Sequence, residues 1–302
     1  MQKEHEKEKG AEQKEVIDNT QKNISVSSSS ASSSIMLNSS QANQIISPKP
    51  VVNPADVAKF LKLVAEGEED QAEAMLKANK DLAKASGDVT DLSKRDFKNI
   101  TGFQYAVWGL DCRMWTMIQK YLPEEDAYQQ IKAAEQGSWV VTHKTDARQL
   151  IQNLEAALQK CINLYGNLKL AEGDQVLVKE VGGLQSRLPA NVVNEYCNPV
   201  NSFNPCPNFT VVGALPRSRK TDEGEWFTCQ PNGDVLGEKF AYCRGHSAQA
   251  VAWKADWFPP ANMLRPDAVS VRALLSARTS QHDKLITDLT KNYTQKLGAS
   301  FK

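Results

Sequence analysis

The sequence predicts a mainly α-helical protein: short helix–turn–helix units packed on a C-terminal helical region that carries a small β-hairpin. Three observations lead there. Apolar residues recur at helical spacing in several separate stretches. Asn, Asp, Gly and Pro punctuate those stretches where helices start and stop. One stretch alone, "GEWFTCQPNGDVLGEKFAYCRG", has the turn chemistry of a hairpin.

Residues 1–50 precede the first periodic segment. They alternate Lys with Glu and Asp, then run into "SVSSSSASSSIMLNSSQ". Too few large apolar residues occur there to offset the entropy of ordering, so a disordered charged and Ser-rich tail is expected. Order begins at "NPADVAKFLKLVAEGEEDQAEAMLKANKDLA". Asn53 is placed to cap a helix, and Pro54 fits its first turn, where an N–H has no acceptor to lose. Val57, Phe60, Leu61 and Val64 line one face; Gly67 breaks the pattern; Ala72, Met75, Leu76 and Leu82 resume it. "SGDVTDLSKRDFKN" then reads as a linker rich in turn-forming residues.

"TGFQYAVWGLDCRMWTMI" is again helix, turn, helix. Phe103, Ala106, Val107 and Leu110 form one apolar face; Met114, Trp115, Met117, Ile118, Tyr121 and Leu122 form the next, ended by Pro123. Packing is the expected role of Trp108 and Trp115, and capping that of Asp111.

These units resemble ankyrin repeats, whose pattern is T-P-L-H-x-A, a glycine turn, then an apolar helix. Thr101 and Ala106 fall at the threonine and alanine positions, and Phe103 takes the leucine place. Gly102 stands for the proline, Gln104 for the histidine, and Leu110 for the turn glycine. The spacing from Gly67 to Leu110 exceeds the usual period of about 33 residues. Two degenerate units are present without a third, so this unit, residues 51–125, must lean on the rest of the chain.

Residues 126–302 form the second region. "TDARQLIQNLEAALQKCINLYGNL" is a long amphipathic helix with Thr145 or Asp146 as its cap. Leu150, Ile151, Leu154, Leu158, Cys161, Ile162 and Tyr165 line one side, Cys161 as a core thiol. "LPANVVNEYCNPVNSFNPCPNF" is an ordered loop only if Tyr196, Phe203 and Phe209 anchor it. The hairpin should pair Trp226–Cys229 with Phe240–Cys243 across Pro-Asn-Gly-Asp. From Pro266 a second long helix follows, with Val269, Leu274, Leu285, Ile286, Leu289, Tyr293 and Leu297 as an incomplete stripe, which packs on the helix near residue 150 or, as the alternative, forms a dimer seam.

Composition excludes some functions. Lys plus Arg and Asp plus Glu number 36 each, so no overall field draws the chain to nucleic acid or an anionic membrane. No run of about 18 apolar residues marks a membrane span, and the charged N-terminus is unlike a secretory signal. The six cysteines are read as free thiols of a reducing compartment.

Residues 190–250 hold the side chains that could carry chemistry. Cys197, Cys206, Cys229, Cys243 and His246 lack the close cysteine pair of structural zinc, so no metal is expected. A cysteine nucleophile would need Cys197, Cys206 or Cys243 beside His143 or His246, with an orienting group such as Glu195. No motif links them, and neither a catalytic residue nor a cofactor is assigned. Arg217, Arg219 and Lys220, with Trp226 after them, are the partner-binding candidates, toward a host protein or, less simply, a phosphoinositide or other acidic surface.

Taken together, "GDVTDLSKRDFKNITGFQYAVWGLDCRMWTMIQKYLP", "LPANVVNEYCNPVNSFNPCPNF" and "RKTDEGEWF" resemble a module of Legionella and Coxiella proteins delivered through the Dot/Icm type IV secretion system. The resemblance implies a secreted effector with an ankyrin-like part, in the bacterial cytoplasm first and the host cytoplasm after delivery. It carries over no catalytic residue. The tail "LTKNYTQKLGASFK" has Phe301 and small residues but no acidic cluster of the kind such delivery signals resemble. Three functions are therefore in play: non-catalytic binding of a host protein, a cysteine-dependent enzyme, and a scaffold that stays in the bacterium.

Overall fold

Apolar stripes, caps and turns form helices at the stretches the sequence marks as helical, and further helices lie over residues 124–135 and within 170–196, which it does not. The computed structural model describes residues 52–142, 146–210, 227–230, 232–245, 250–254 and 261–300. Helix α1 (Pro54–Ala65) starts at Asn53, whose side chain accepts from the Ala55 N–H at 3.0 Å. Gly67, at φ +72°, turns the chain into α2 (Glu69–Ala78), a conformation that glycine adopts without the Cβ penalty. A short 3-10 helix, Lys80–Lys84, follows.

The segment expected to be a linker is a β-hairpin. Strands β1 (Ser86–Thr90) and β2 (Asp96–Thr101) pair antiparallel, and β3 (Val140–Val141) adds to the far side of β2. Val89, Phe97 and Ile100 are the buried residues that hold these strands to the core. Arg95 fixes the turn: Nε donates to Asp91 at 2.8 Å, Nη1 donates to the Arg187 carbonyl at 2.6 Å, and the guanidinium lies 4.6 Å from the Trp108 ring centroid.

Helices α3 (Gly102–Trp108) and α4 (Cys112–Gln119) form the second pair. Thr101 and Gln104 make a reciprocal capping box, and Asp111 caps α4 by accepting from the Met114 N–H at 3.0 Å. Leu110 takes the left-handed conformation, φ 55°, where the repeat pattern expects glycine. Trp108 and Trp115 are both buried, in keeping with packing roles. Helix α5 (Glu124–Glu135) brings Ala127 and Ile131 into the same core.

A second core begins with α6 (Ala147–Gly166), capped by Asp146 through the Gln149 N–H at 2.7 Å. Cys161 is fully buried on its stripe. Next come α7 (Leu170–Gln175), a π-helical stretch Val176–Gly182, and α8 (Gly183–Gln185). Part of the expected Pro/Asn-rich loop is helix α9 (Ala190–Tyr196), and Tyr196, Phe203 and Phe209 are buried as its anchors.

A hairpin is present, with different partners from those expected. Strand β4 (Phe240–Cys243) pairs antiparallel with β5 (Val251–Lys254), and Cys229 makes an isolated bridge to Val235. Gln230 and Gly233 close the expected turn tightly, and Gly237, at φ +88°, turns the chain again before β4.

Gly182 touches that second turn. A Cβ there would sit 2.5 Å from the Phe240 carbonyl oxygen and 2.9 Å from the Gly237 nitrogen, both backbone atoms that cannot rotate away. Gly182→Ala should cost about 1–3 kcal/mol in urea unfolding. A variant as stable as the parent would contradict the contact.

Helix α10 (Ala261–Ser300) begins before Pro266 and packs along α6, as expected. Its buried stripe differs in detail: Leu264, Ala268, Val271 and Leu274 serve the second core, and Leu285 and Leu289 reach the first. Val269 and Leu297, assigned to the stripe from the sequence, are 53% and 44% exposed. Tyr293 stacks on Tyr128 of α5 with ring centroids 4.1 Å apart. One helix thus belongs to both cores. Among the described residues, no helix is long and apolar enough to cross a membrane.

Asp267 pins the start of α10. Its carboxylate accepts from Tyr196 Oη and from the backbone N–H groups of Arg244 and Gly245. Burial pushes its pKa up to about 6 against those hydrogen bonds. The folded state therefore holds this proton more tightly than the unfolded chain. The resulting stability is fully present below about pH 4 and is lost as pH rises through about 6. Asp267→Asn removes the titration, so its cost should shrink by up to about 3 kcal/mol between about pH 4 and pH 7. Urea titrations at both pH values would show it; a cost that grew with pH would contradict the burial argument.

Candidate functional site

Where the two cores meet, their elements leave a cleft of about 710 Å³. Helix α3 supplies Val107 and Trp108, α5 supplies Ile131 and Ala134, and α10 supplies Ile286. Trp139 and Val141 close one side from β3 and the residue before it. The aromatic wall is set by Phe97 behind it, 4.8 Å from Trp108 and 6.0 Å from Trp139 between ring centroids. The Trp139 Nε1–H is buried and meets no acceptor among the described residues.

Polar groups gather at the mouth. Arg148 at the start of α6 donates to Asp283 at 3.0 Å and lies 3.1 Å from His282 Nδ1. His282 and then Arg148 hold the Asp283 carboxyl below its ordinary range by hydrogen bonding. The His282 ring also meets Trp115 edge-on at 6.4 Å, tying the mouth to the first core.

A buried polar cluster crosses the same junction. Arg278 of α10 donates to Glu195 of α9 at 2.6 Å, to the Phe209 carbonyl at 3.2 Å, and to Cys112 Sγ at 3.2 Å. Burial raises the pKa of Glu195, with Arg278 opposing it. Burial likewise raises Asp111 and pushes the Cys112 thiol up to about 11.

Glu195, the orienting group considered for a cysteine nucleophile, is therefore held by an arginine. Cys197 and Cys243 are buried, Cys206 is exposed, and burial pushes the Cys243 thiol well above its ordinary value. His143 and His246 lie outside the described residues, as do Arg217, Arg219, Lys220 and Trp226 and the whole of residues 1–50. Among the described residues, no three His, Cys, Asp or Glu side chains gather closely enough to hold a metal ion.

A protein of Coxiella burnetii described as uncharacterized protein CBUA0006 is 34% identical over 258 residues, covering 76% of this chain and 74% of that one. The chain belongs to the CBUA0006 family. The family model described as the CBUA0006 C-terminal domain matches residues 149–289. That span runs from the first turn of α6 into α10 as far as Leu289, which is buried in the first core. No solved structure matches the chain.

The cleft was not legible as a site. Its walls come from stretches the sequence marks simply as apolar faces, and only the fold brings α3, α5 and α10 together. The unusual density of tryptophan around residues 108–139 is the one signal that touches it.

Proposed function

We propose that this chain is a non-catalytic, protein-binding bacterial effector, delivered into a host cell by a Dot/Icm-type system. It holds its partner through ankyrin-like helical surfaces, with the cleft at their edge as the principal contact. The cleft carries the reading: a concave, largely apolar surface with few polar groups, built on helices, suits recognition. The stacking of α1 on α3 and of α2 on α4, with a β-hairpin between the pairs, supports the ankyrin-like description. Kinship with a Coxiella protein supports the bacterial setting.

The competing cysteine-enzyme reading predicts one thiol that is fast and selective toward an alkylating probe at neutral pH. In the binding reading, reactivity follows exposure. Cys206 should react first, Cys229 next, and Cys112, Cys161 and Cys243 only on unfolding. Mass-spectrometric mapping of the modified sites decides it, and a buried cysteine labelled ahead of Cys206 would overturn the non-catalytic reading.

A further inference from the structure

Helix α10 is held unevenly along its length. As far as Arg278 it is bound into the second core. Leu264, Val271, Leu274 and Ala277 are buried there, and the Ser270 hydroxyl donates to the Phe203 carbonyl at 3.3 Å. Asp267 accepts from two backbone N–H groups, and Arg278 donates to Glu195. From Thr279 to Lys284 no residue is buried. Beyond that gap Leu285 and Leu289 are buried, in the first core with Ala127 and Ile131 of α5, and nothing described after Leu289 is.

The other ties of this distal half are polar and lie at the surface. Asp283 meets Arg148 with both side chains exposed. Glu124 accepts from Asn292 and from Lys296 Nζ, the latter at 3.0 Å. Gln129 donates to Tyr293 Oη at 3.1 Å beside the Tyr128–Tyr293 stack. Exposed pairs of this kind each contribute little and are screened by salt. Detached from the first core, a short polar helix is marginal in water. Opening the proximal half would instead break the second core and strand buried charges. The distal half therefore opens at far lower cost than the proximal one.

We infer that residues 282–300 are a strap that detaches from the first core as a unit while both cores stay folded. Thr279 and Ser280, weaker helix formers than their neighbours Arg278 and Gln281, mark the hinge. His282, Asp283, Ile286 and Thr287 line the cleft, so detachment removes one of its walls. It also uncovers the part of the first core that Leu285 and Leu289 cover. Access to the cleft is thereby set by α10, whatever the chain binds.

Hydrogen exchange of the full chain, read by mass spectrometry, tests this. Amides of residues 285–296 should exchange together, at least about tenfold faster than those of 264–277. Leu289→Ala should speed the distal amides by about tenfold or more and leave the proximal ones unchanged. Glu124→Lys, a change at the protein surface, should speed the distal amides alone by a smaller factor, as should added salt. It carries the test if Leu289→Ala does not fold. Equal protection of the two halves, or equal speeding of both by either variant, would mean that α10 opens only with the whole protein and would overturn the strap. Protection that declines gradually inward from Ser300 is end fraying and would overturn it as well, as would distal amides indifferent to both variants.

Discussion

Arg278→Met is expected to lower folding stability by about 3–5 kcal/mol, because it strands the Glu195 carboxylate in the interior. Both side chains are nearly inaccessible, at 5% and 8%, and the guanidinium also serves the Phe209 carbonyl, Cys112 Sγ and Gln281. One side chain therefore joins α10 to α4, α9 and the loop ahead of residue 210. The loss has a pH signature. Without Arg278, burial of Glu195 loses its main opposition, leaving the weaker pull of Arg113, and raises its pKa further above the unfolded value. Glu195 then takes up a proton as pH falls, so the deficit should narrow toward acid. Adding Glu195→Met should restore much of the loss, since two apolar side chains leave no buried charge. Urea unfolding of the two single variants and the double variant gives the coupling. A single-variant cost below about 1 kcal/mol would mean the pair is not buried as described.

Trp115→Ala should cost about 3–5 kcal/mol, the range for emptying a core site of an indole. Trp115 is 3% exposed and belongs to the first core with Met114, Ile118 and Phe103. Its edge-on contact with His282 adds a second consequence, because the truncation removes one support of the cleft's mouth. The loss of stability is read from urea titration. A cost near zero would place Trp115 at the surface and transfer it from packing to binding.

How far the sequence reached is clearest at particular residues. Asn53, Asp111 and Asp146 announce helix starts because a short polar side chain there bonds a free backbone N–H, a local event. Tyr196, Phe203 and Phe209 betray an anchored loop by being aromatic in a polar, proline-rich stretch. Strands β1 and β2 escaped because Ser86–Thr90 buries only Val89, leaving no alternation to read, while its turn-forming residues imitate a linker. Gly182 and Gly183 carry no local signal of their role. Their meaning is the backbone approach of Gly237, a contact made across the second core. The Arg278–Glu195 pair spans 83 positions, and nothing local to either residue names the other. The cleft is invisible for the same cause, since its acids and its indoles are assembled from both cores.

Delivery is the central claim, and a translocation reporter tests it most directly. The full chain would be fused to an adenylate cyclase that requires host calmodulin and expressed in bacteria with and without a working Dot/Icm system. The account predicts a rise in host cAMP that depends on that system. A fusion that is expressed and soluble yet gives no rise would contradict it and leave the chain as a scaffold inside the bacterium.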